Sequence, residues 1–269
     1  MSIEFNRNFM KCPSFKDEMA KSDQQNGVAP PPVNIAPRGG EKIVLPAFDG
    51  IAINDSYTKL LDIRRSVRVY DGKKPMTAAQ LAYMCHTAMA IQEFRGMENY
   101  ATLRPAPSGG ARHPFELYVA VQNVEGLTPG LYHYLPLENV GKKAVTLERL
   151  GDIENFKTTV VEMVAGQKWA ENASVTFFIT CVAYRAEWRY RENAHRVVLI
   201  DLGHVGQNMM LSAAALGLGS CCIAAYNQAA CDRVLMLDGT DEYMVYGVTV
   251  GWAKEKDPDA AAGNHHSKT

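Results

Sequence analysis

NAHRVVLIDLGHVGQNMMLSAAALGLG, residues 193–219, is the stretch on which the fold reading turns. Apolar residues recur at helical spacing from Asn193 to Leu216, and Gly217 and Gly219 end the pattern as a helix C-terminus. Inside it, Gly203 and Gly206 each cost a helix roughly 1 kcal/mol against alanine, so the pair predicts another backbone packed close by. Ala213, Ala214 and Ala215 keep the later turns slim. His204, Gln207, Asn208 and Leu211 fall on one stripe, putting an imidazole and two amides on a face where those groups need partners.

Upstream, the nearly continuous apolar run 175–182 reads as a buried central strand, preceded by a helix from Ile153 to Val164. Residues 117–121 and 130–134 are short β runs on either side of the turn at Thr128-Pro129. Thr77 caps a helix carrying Leu81, Met84, Cys85, Ala88 and Ile91, and Asn54 or Asp55 caps a shorter one through Leu60, Leu61 and Ile63. Downstream come a strand from Ser220 to Ala225, a helix from Ala229 to Leu237 and a strong strand from Met244 to Trp252. Strands and helices mix without a βαβ rhythm or internal repeat, which favours an α+β fold over a doubly wound sheet. Residues 1–50, with Pro30-Pro31-Pro32 and Pro37, are expected to form an extended N-terminal arm, 51–254 the folded domain, and 255–269 a flexible tail.

Composition narrows the function classes. A net charge of -1 gives no general attraction to nucleic acid or an anionic membrane, so any basic site must be local. No signal peptide is apparent and no run reaches ~18 apolar residues, so a cytoplasmic protein is expected. The six cysteines lack CxxC spacing and read as reduced and structural, Cys221-Cys222 included. No metal is expected.

Arg64-Arg65-Ser66-Val67-Arg68 puts three guanidinium groups and a hydroxyl within five residues, directly after a helical pattern ends. Arginine's planar fork matches phosphate oxygens bidentately, so the cluster is a candidate anion site, with a solvated basic turn as its plain alternative. A second element, Pro107-Ser108-Gly109-Gly110-Ala111-Arg112-His113-Pro114, precedes a strand. Its glycines permit close approach of backbone to a flat ligand, and its amides and Ser108 can hydrogen-bond it; a plain connecting loop is the alternative. It matches neither GxGxxG nor GxxxxGK[ST], which disfavours a nicotinamide-binding Rossmann fold and a P-loop.

The order of these motifs, followed by 126–134, Trp188-Arg189-Tyr190, Ala194-His195-Arg196, 201–208 and Gly217-Leu218-Gly219, resembles the flavin-dependent nitroreductase superfamily over about residues 50–254. More narrowly it is similar to the SagB-type dehydrogenases, which include azoline and thiazoline oxidases. The resemblance implies a nitroreductase-like α+β fold and a homodimer holding two FMN molecules at its interface. It assigns the FMN phosphate and ribityl chain to Arg64, Ser66 and Arg68, with Arg65 adjacent, and Lys254 as a weaker phosphate contact. Pro107, Ser108, Gly109 and Gly110 would reach the flavin from the other subunit, while Leu218, Gly219, Ser220 and Cys221 would lie beside the ring, near N5.

At one point the chain departs from that pattern. Azoline-oxidising members carry a Lys-Tyr pair where this chain has Arg189-Tyr190. A lysine can be tuned into a base at neutral pH, and an arginine essentially cannot be deprotonated. Tyr190 remains able to move a proton, and Arg189 to orient a carboxylate or carbonyl; the pair is the candidate catalytic site, with an ion-paired Arg and a packed aromatic as the alternative. His113, His195 and His204 read as structural or interface residues. The implied activity is FMN-dependent, ping-pong hydride transfer to or from a small-molecule or peptide-derived substrate, with NAD(P)H as a candidate donor. Azoline-to-azole dehydrogenation and a non-catalytic flavin-binding scaffold subunit of a peptide-modifying complex are the alternatives.

Overall fold

Alternation in two neighbouring strands organises the molecule. In the computed structural model, which describes residues 2–11, 21–96 and 100–254, Leu117, Val119 and Val121 of β4 (Phe115–Val121) and Phe177, Ile179 and Cys181 of β7 (Val175–Val182) face one core, while Tyr118, Ala120 and Phe178 face a second. Both faces of this sheet are therefore covered, and both strands are buried almost throughout. Each fully buried Val, Leu or Phe contributes about 1.5–3 kcal/mol relative to exposure.

The sheet has seven strands in the order β1-β6-β5-β4-β7-β9-β8, all pairs antiparallel. Its members are β1 (Lys42–Val44), β4, β5 (Gly130–Tyr134), β6 (Thr146–Gly151), β7, β8 (Gly219–Ile223) and β9 (Glu242–Gly251). A separate hairpin pairs β2 (Glu93–Arg95) with β3 (Ala101–Leu103). On the first face lie α3 (Ala78–Met89), α5 (Tyr184–Tyr190) and α6 (Ala194–Ala215); on the second, α4 (Phe156–Met163) and α7 (Gln228–Leu235). The chain thus has the expected α+β architecture, an antiparallel sheet flanked by helices. A short α1 (Ile3–Phe9) and α2 (Tyr57–Ile63) complete the set.

Local chemistry accounts for the boundaries that matter to the site. Thr77 and Gln80 form a reciprocal capping box at the start of α3. At the end of α6, Gly217 takes φ +72°, its N–H donates to Ala214 O at 3.1 Å, and the Leu218 N–H donates to Ala213 O at 2.8 Å. This Schellman motif turns the chain directly into β8. Gly206 packs α6 on the sheet: an added Cβ would stand 2.9 Å from the Tyr246 ring. Gly203, expected with Gly206 to have another backbone close by, meets nothing within 4 Å in its own chain and faces outward.

Residues 21–48 run largely extended along the body and are tied to it. Glu116 accepts from the Ile35 N–H at 2.8 Å, Asn34 Nδ2 at 3.0 Å, His133 Nε2 at 2.9 Å and Arg185 Nη2 at 2.6 Å. Burial would raise this carboxyl, but Arg185 and His133 outweigh it and hold it down at about 2. Arg104 donates to Val33 O and Asn34 Oδ1, and Arg185 Nε to Pro32 O. Further along, β1 pairs with β6, and Leu45 and Phe48 enter the first core.

Several elements differ from the sequence expectation. α2 starts after Ser56, while Asn54 Oδ1 accepts from the Ser56 N–H ahead of the helix. α4 begins at Phe156, behind an Asn155 in the left-handed region. β1, the β2–β3 hairpin, β6, α1 and α5 were not anticipated. The tail 255–269 and Cys12 lie outside the described residues.

Candidate functional site

The arginine cluster follows α2 and runs beside β8. Ser66 bridges to Ser220 in parallel, and the Val67 N–H donates to Ser220 O at 2.8 Å. Gly219 is required there, because an added Cβ would stand 2.8 Å from the Val67 side chain. The resulting cleft is lined by Ile63, Arg64, Arg65, Val67, Met210, Ala214 and the 217–220 segment. Arg65, Ser66 and Arg68 are exposed and Arg64 half-buried. Arg65 donates from Nη1 to Arg64 O at 2.7 Å. Among the described residues none of Arg64, Arg65 and Arg68 has a carboxylate partner. Lys254 joins the neighbourhood through its backbone, whose N–H donates to Val69 O at 3.0 Å. The structure therefore brings Arg64, Arg65, Ser66 and Arg68 together with Leu218, Gly219, Ser220 and Lys254.

The glycine loop is elsewhere. Its backbone is strained: Gly110 has φ +55°, and Ala111 and His113, which carry side chains, have φ +53° and +43°. Left-handed conformations cost a non-glycine residue about 1–2 kcal/mol and persist where surroundings impose them, often at binding sites. Asp201, on α6, imposes this one. Its carboxylate accepts from Ser108 Oγ at 2.7 Å and from the Gly109 N–H at 3.0 and 3.1 Å. Ser108 Oγ in turn accepts from the His113 N–H at 2.9 Å. The donors of Ser108 and Gly109, expected to serve a ligand, are thus engaged within the chain, where they fix the loop's shape. Burial pushes the Asp201 carboxyl up, opposed by those hydrogen bonds.

Arg189 and Tyr190, at the end of α5, lie against this loop. A Cβ on Gly110 would stand 2.7 Å from the Tyr190 hydroxyl and 2.8 Å from Arg189 Cδ and Nε. A Cβ on Gly109 would collide with Val197 Cγ1 on α6. The Arg189 guanidinium lies 5.6 Å from the Tyr190 ring centroid, and its Nη1 donates to Tyr100 Oη at 2.8 Å.

Neither histidine near the loop is free for chemistry. His113 is buried, hydrogen-bonded to Thr102 O at 3.0 Å, and pushed down to about 3 by burial and then by Arg104, so it stays neutral. His195 pairs with Glu187 at 2.8 Å. Burial raises the Cys221 and Cys222 thiols, as expected of packed cysteines. Among the described residues no His, Cys, Asp and Glu group could hold a metal ion, and no helix is long and apolar enough to cross a membrane.

Sequence reasoning missed Asp201, Tyr100 and the packing role of Val197. Asp201 left a signal: it is a carboxylate in the buried helical row with Val198, Val205 and Met209. Tyr100 left none, since its partner lies 89 residues away.

With this geometry in place, the chain's family is clear. The nitroreductase family model matches residues 61–252, and the chain belongs to that family of oxidoreductases. MJ1384 of Methanocaldococcus jannaschii, which carries a nitroreductase name, is 30% identical over 185 residues, covering 69% of this chain and 84% of its own. The trifolitoxin-processing protein TfxB of Rhizobium leguminosarum bv. trifolii is 36% identical over 150 residues. That match covers 52% of this chain and only 38% of TfxB. Among solved structures, the E. coli microcin synthetase McbBCD complex with truncated pro-MccB17 superposes with a TM-score of 0.57 at 18% identity, over 95% of this chain and 83% of the other. An Exiguobacterium sibiricum nitroreductase-type protein in complex with FMN gives a TM-score of 0.51 at 14% identity, over 75% and 90%.

Proposed function

We propose that this chain is an FMN-dependent oxidoreductase that works as a homodimer. The observation that carries the reading is the exposed arginine cluster, without carboxylate partners among the described residues, over a cleft floored by Gly219 and Ser220. This donor set fits a phosphate: Arg64, Ser66 and Arg68 would hold it, with Lys254 near and Arg65 turned aside.

The placement of the second half-site supports a dimer. Asp201 holds the glycine loop, whereas Ala214 lines the cleft. At ~1.5 Å rise per residue these two positions stand about 20 Å apart along α6. One ring cannot lie against both within one chain. Leu199, Ile200, Gly203, His204 and Gln207 are exposed along α6, in register with the half-exposed Met210 and Ala214. A second copy packed antiparallel on this stripe, apolar and small but for His204 and Gln207, would carry its glycine loop toward the first copy's cleft and give those two polar groups partners.

FMN supplies a ring nitrogen, N5, that accepts and returns a hydride. The chain would bind the phosphate through its arginines, orient the ring between the 218–220 backbone and the second copy's Pro107–Gly110 loop, and exclude water with the packed helices. The Tyr190 hydroxyl would move a proton to or from substrate, and Arg189 would orient it. Membership of the nitroreductase family and the similarity to a trifolitoxin-processing protein support a small-molecule or peptide-derived substrate. Dehydrogenation of a peptide-derived ring, with electrons passed to oxygen, is a second reading favoured by the similarity to the trifolitoxin-processing protein.

Purified protein that is yellow, or that quenches added FMN fluorescence, supports the reading; colourless protein indifferent to FMN contradicts it. Anaerobic bleaching by NADH or NADPH favours the reductase direction, and an unbleached flavoprotein favours ring dehydrogenation. Tyr190→Phe is expected to slow turnover about a hundredfold while FMN stays bound, the lower range for general acid–base catalysis. Wild-type turnover in that variant removes its proton-transfer role.

A further inference from the structure

Arg189 is held in a way that leaves half of its guanidinium on offer. Nη1 is taken by the Tyr100 hydroxyl, which also accepts from Gln24 Nε2. Gln24 is itself fixed, its N–H donating to Trp188 O at 3.0 Å. Trp188 donates from Nε1 to Val28 O at 2.9 Å, and its ring lies 5.6 Å from that of Tyr100. The arm, the Tyr100 ring and α5 therefore hold this one guanidinium in place.

What remains is the side-on fork of Nε and Nη2. Among the described residues neither atom has a hydrogen-bond partner, and Arg189 has no carboxylate partner. Of the described acids next to it in the chain, Glu192 pairs with Arg191 at 2.9 Å and Glu187 with His195 at 2.8 Å. Arg112 directs its donors to the carbonyls of Arg185 and Tyr100. A second cation thus stands close by, and among the described residues no free acid faces the fork. The fork meets the glycine loop where an added Cβ on Gly110 would touch Nε.

We infer that Arg189 is a carboxylate-binding residue beside the ring site, positioned by Tyr100, so the substrate carries a carboxylate near the bond that reacts. This rests on the flavin reading above. A single Nε/Nη2 edge offers two parallel donors, which matches the two oxygens of a planar carboxylate. An interaction with a charged group of this kind corresponds to roughly a tenfold or larger affinity preference. Tyr100 acts by fixing the fork, not by touching the ligand.

The test titrates FMN-loaded protein with benzoate and with benzamide, which share shape and differ in charge, and follows the flavin absorption spectrum. The wild type should prefer benzoate at least about tenfold. Arg189→Gln should reduce the preference to about threefold or less, and Tyr100→Phe should reduce it partly, both with unchanged FMN affinity. Equal binding of the two probes, binding of neither, or a full preference in Arg189→Gln overturns the inference. If the protein takes up no FMN, the flavin reading fails separately. The same titration read by tryptophan fluorescence, with Trp188 next to Tyr100, then still decides whether Arg189 selects a carboxylate.

Discussion

Two groups of arginines in this molecule have opposite surroundings. Arg104 and Arg185 are 8% and 2% exposed, and their guanidinium groups meet Glu116, Asn34 and the carbonyls of Pro32 and Val33. Arg64 and Arg65 line a cleft, with exposed Arg68 close by in the chain, and among the described residues none of the three meets a carboxylate. The first group holds the arm to the body; the second has its binding capacity unspent. Accounting for partners, rather than counting charges, separates an arginine that stabilises from one with donors left to bind an anion.

That contrast breaks most visibly at Glu116. Glu116→Ala leaves Arg185 buried without its carboxylate and should cost about 3–5 kcal/mol in urea unfolding. A loss under ~1 kcal/mol would mean the network is not a structural clamp. The folded carboxyl is depressed to about 2, below an unfolded value of ~4.3. Its stabilisation is thus present above pH ~4.3 and is lost as pH falls toward about 2, a loss that Glu116→Gln should lack.

The exposed cluster should behave in the reverse manner. Arg68→Ala should weaken FMN binding by about 1.5–3 kcal/mol in a fluorescence titration, with the unfolding midpoint of the apoprotein nearly unchanged. An unchanged dissociation constant removes Arg68 from the site. Smallest of all is Arg65→Ala, expected within ~0.5 kcal/mol for both measurements, because that side chain turns back to the Arg64 carbonyl. An effect as large as that of Arg68 would make it a direct phosphate ligand.

The same distinction governs how much could be read from the sequence. The rim cluster was legible because its residues are contiguous, as was the Gly217 stop of α6, whose left-handed geometry is a local property. The capping box at Thr77 is also local. By contrast β6, a polar-rich strand, and α5, whose N-cap makes no side-chain bond, carry weak local signals and exist through packing. Arg185 lies 69 residues from Glu116, and Asp201 lies 93 from Ser108, so neither pairing left a trace in spacing. The glycine loop was found by its composition, but its internal hydrogen bonding was not.

In the proposed dimer one cofactor site is assembled from the arginine half of one copy and the glycine-loop half of another. Complementation tests it most directly. An Arg64→Ala/Arg68→Ala double variant and a Gly110→Ala variant, each impaired in FMN uptake and each folded by thermal melting, are mixed and allowed to exchange subunits. Mixed dimers carry one intact site, so random exchange should restore wild-type affinity at about a quarter of all sites. No recovery after demonstrated exchange would contradict a site shared between two copies.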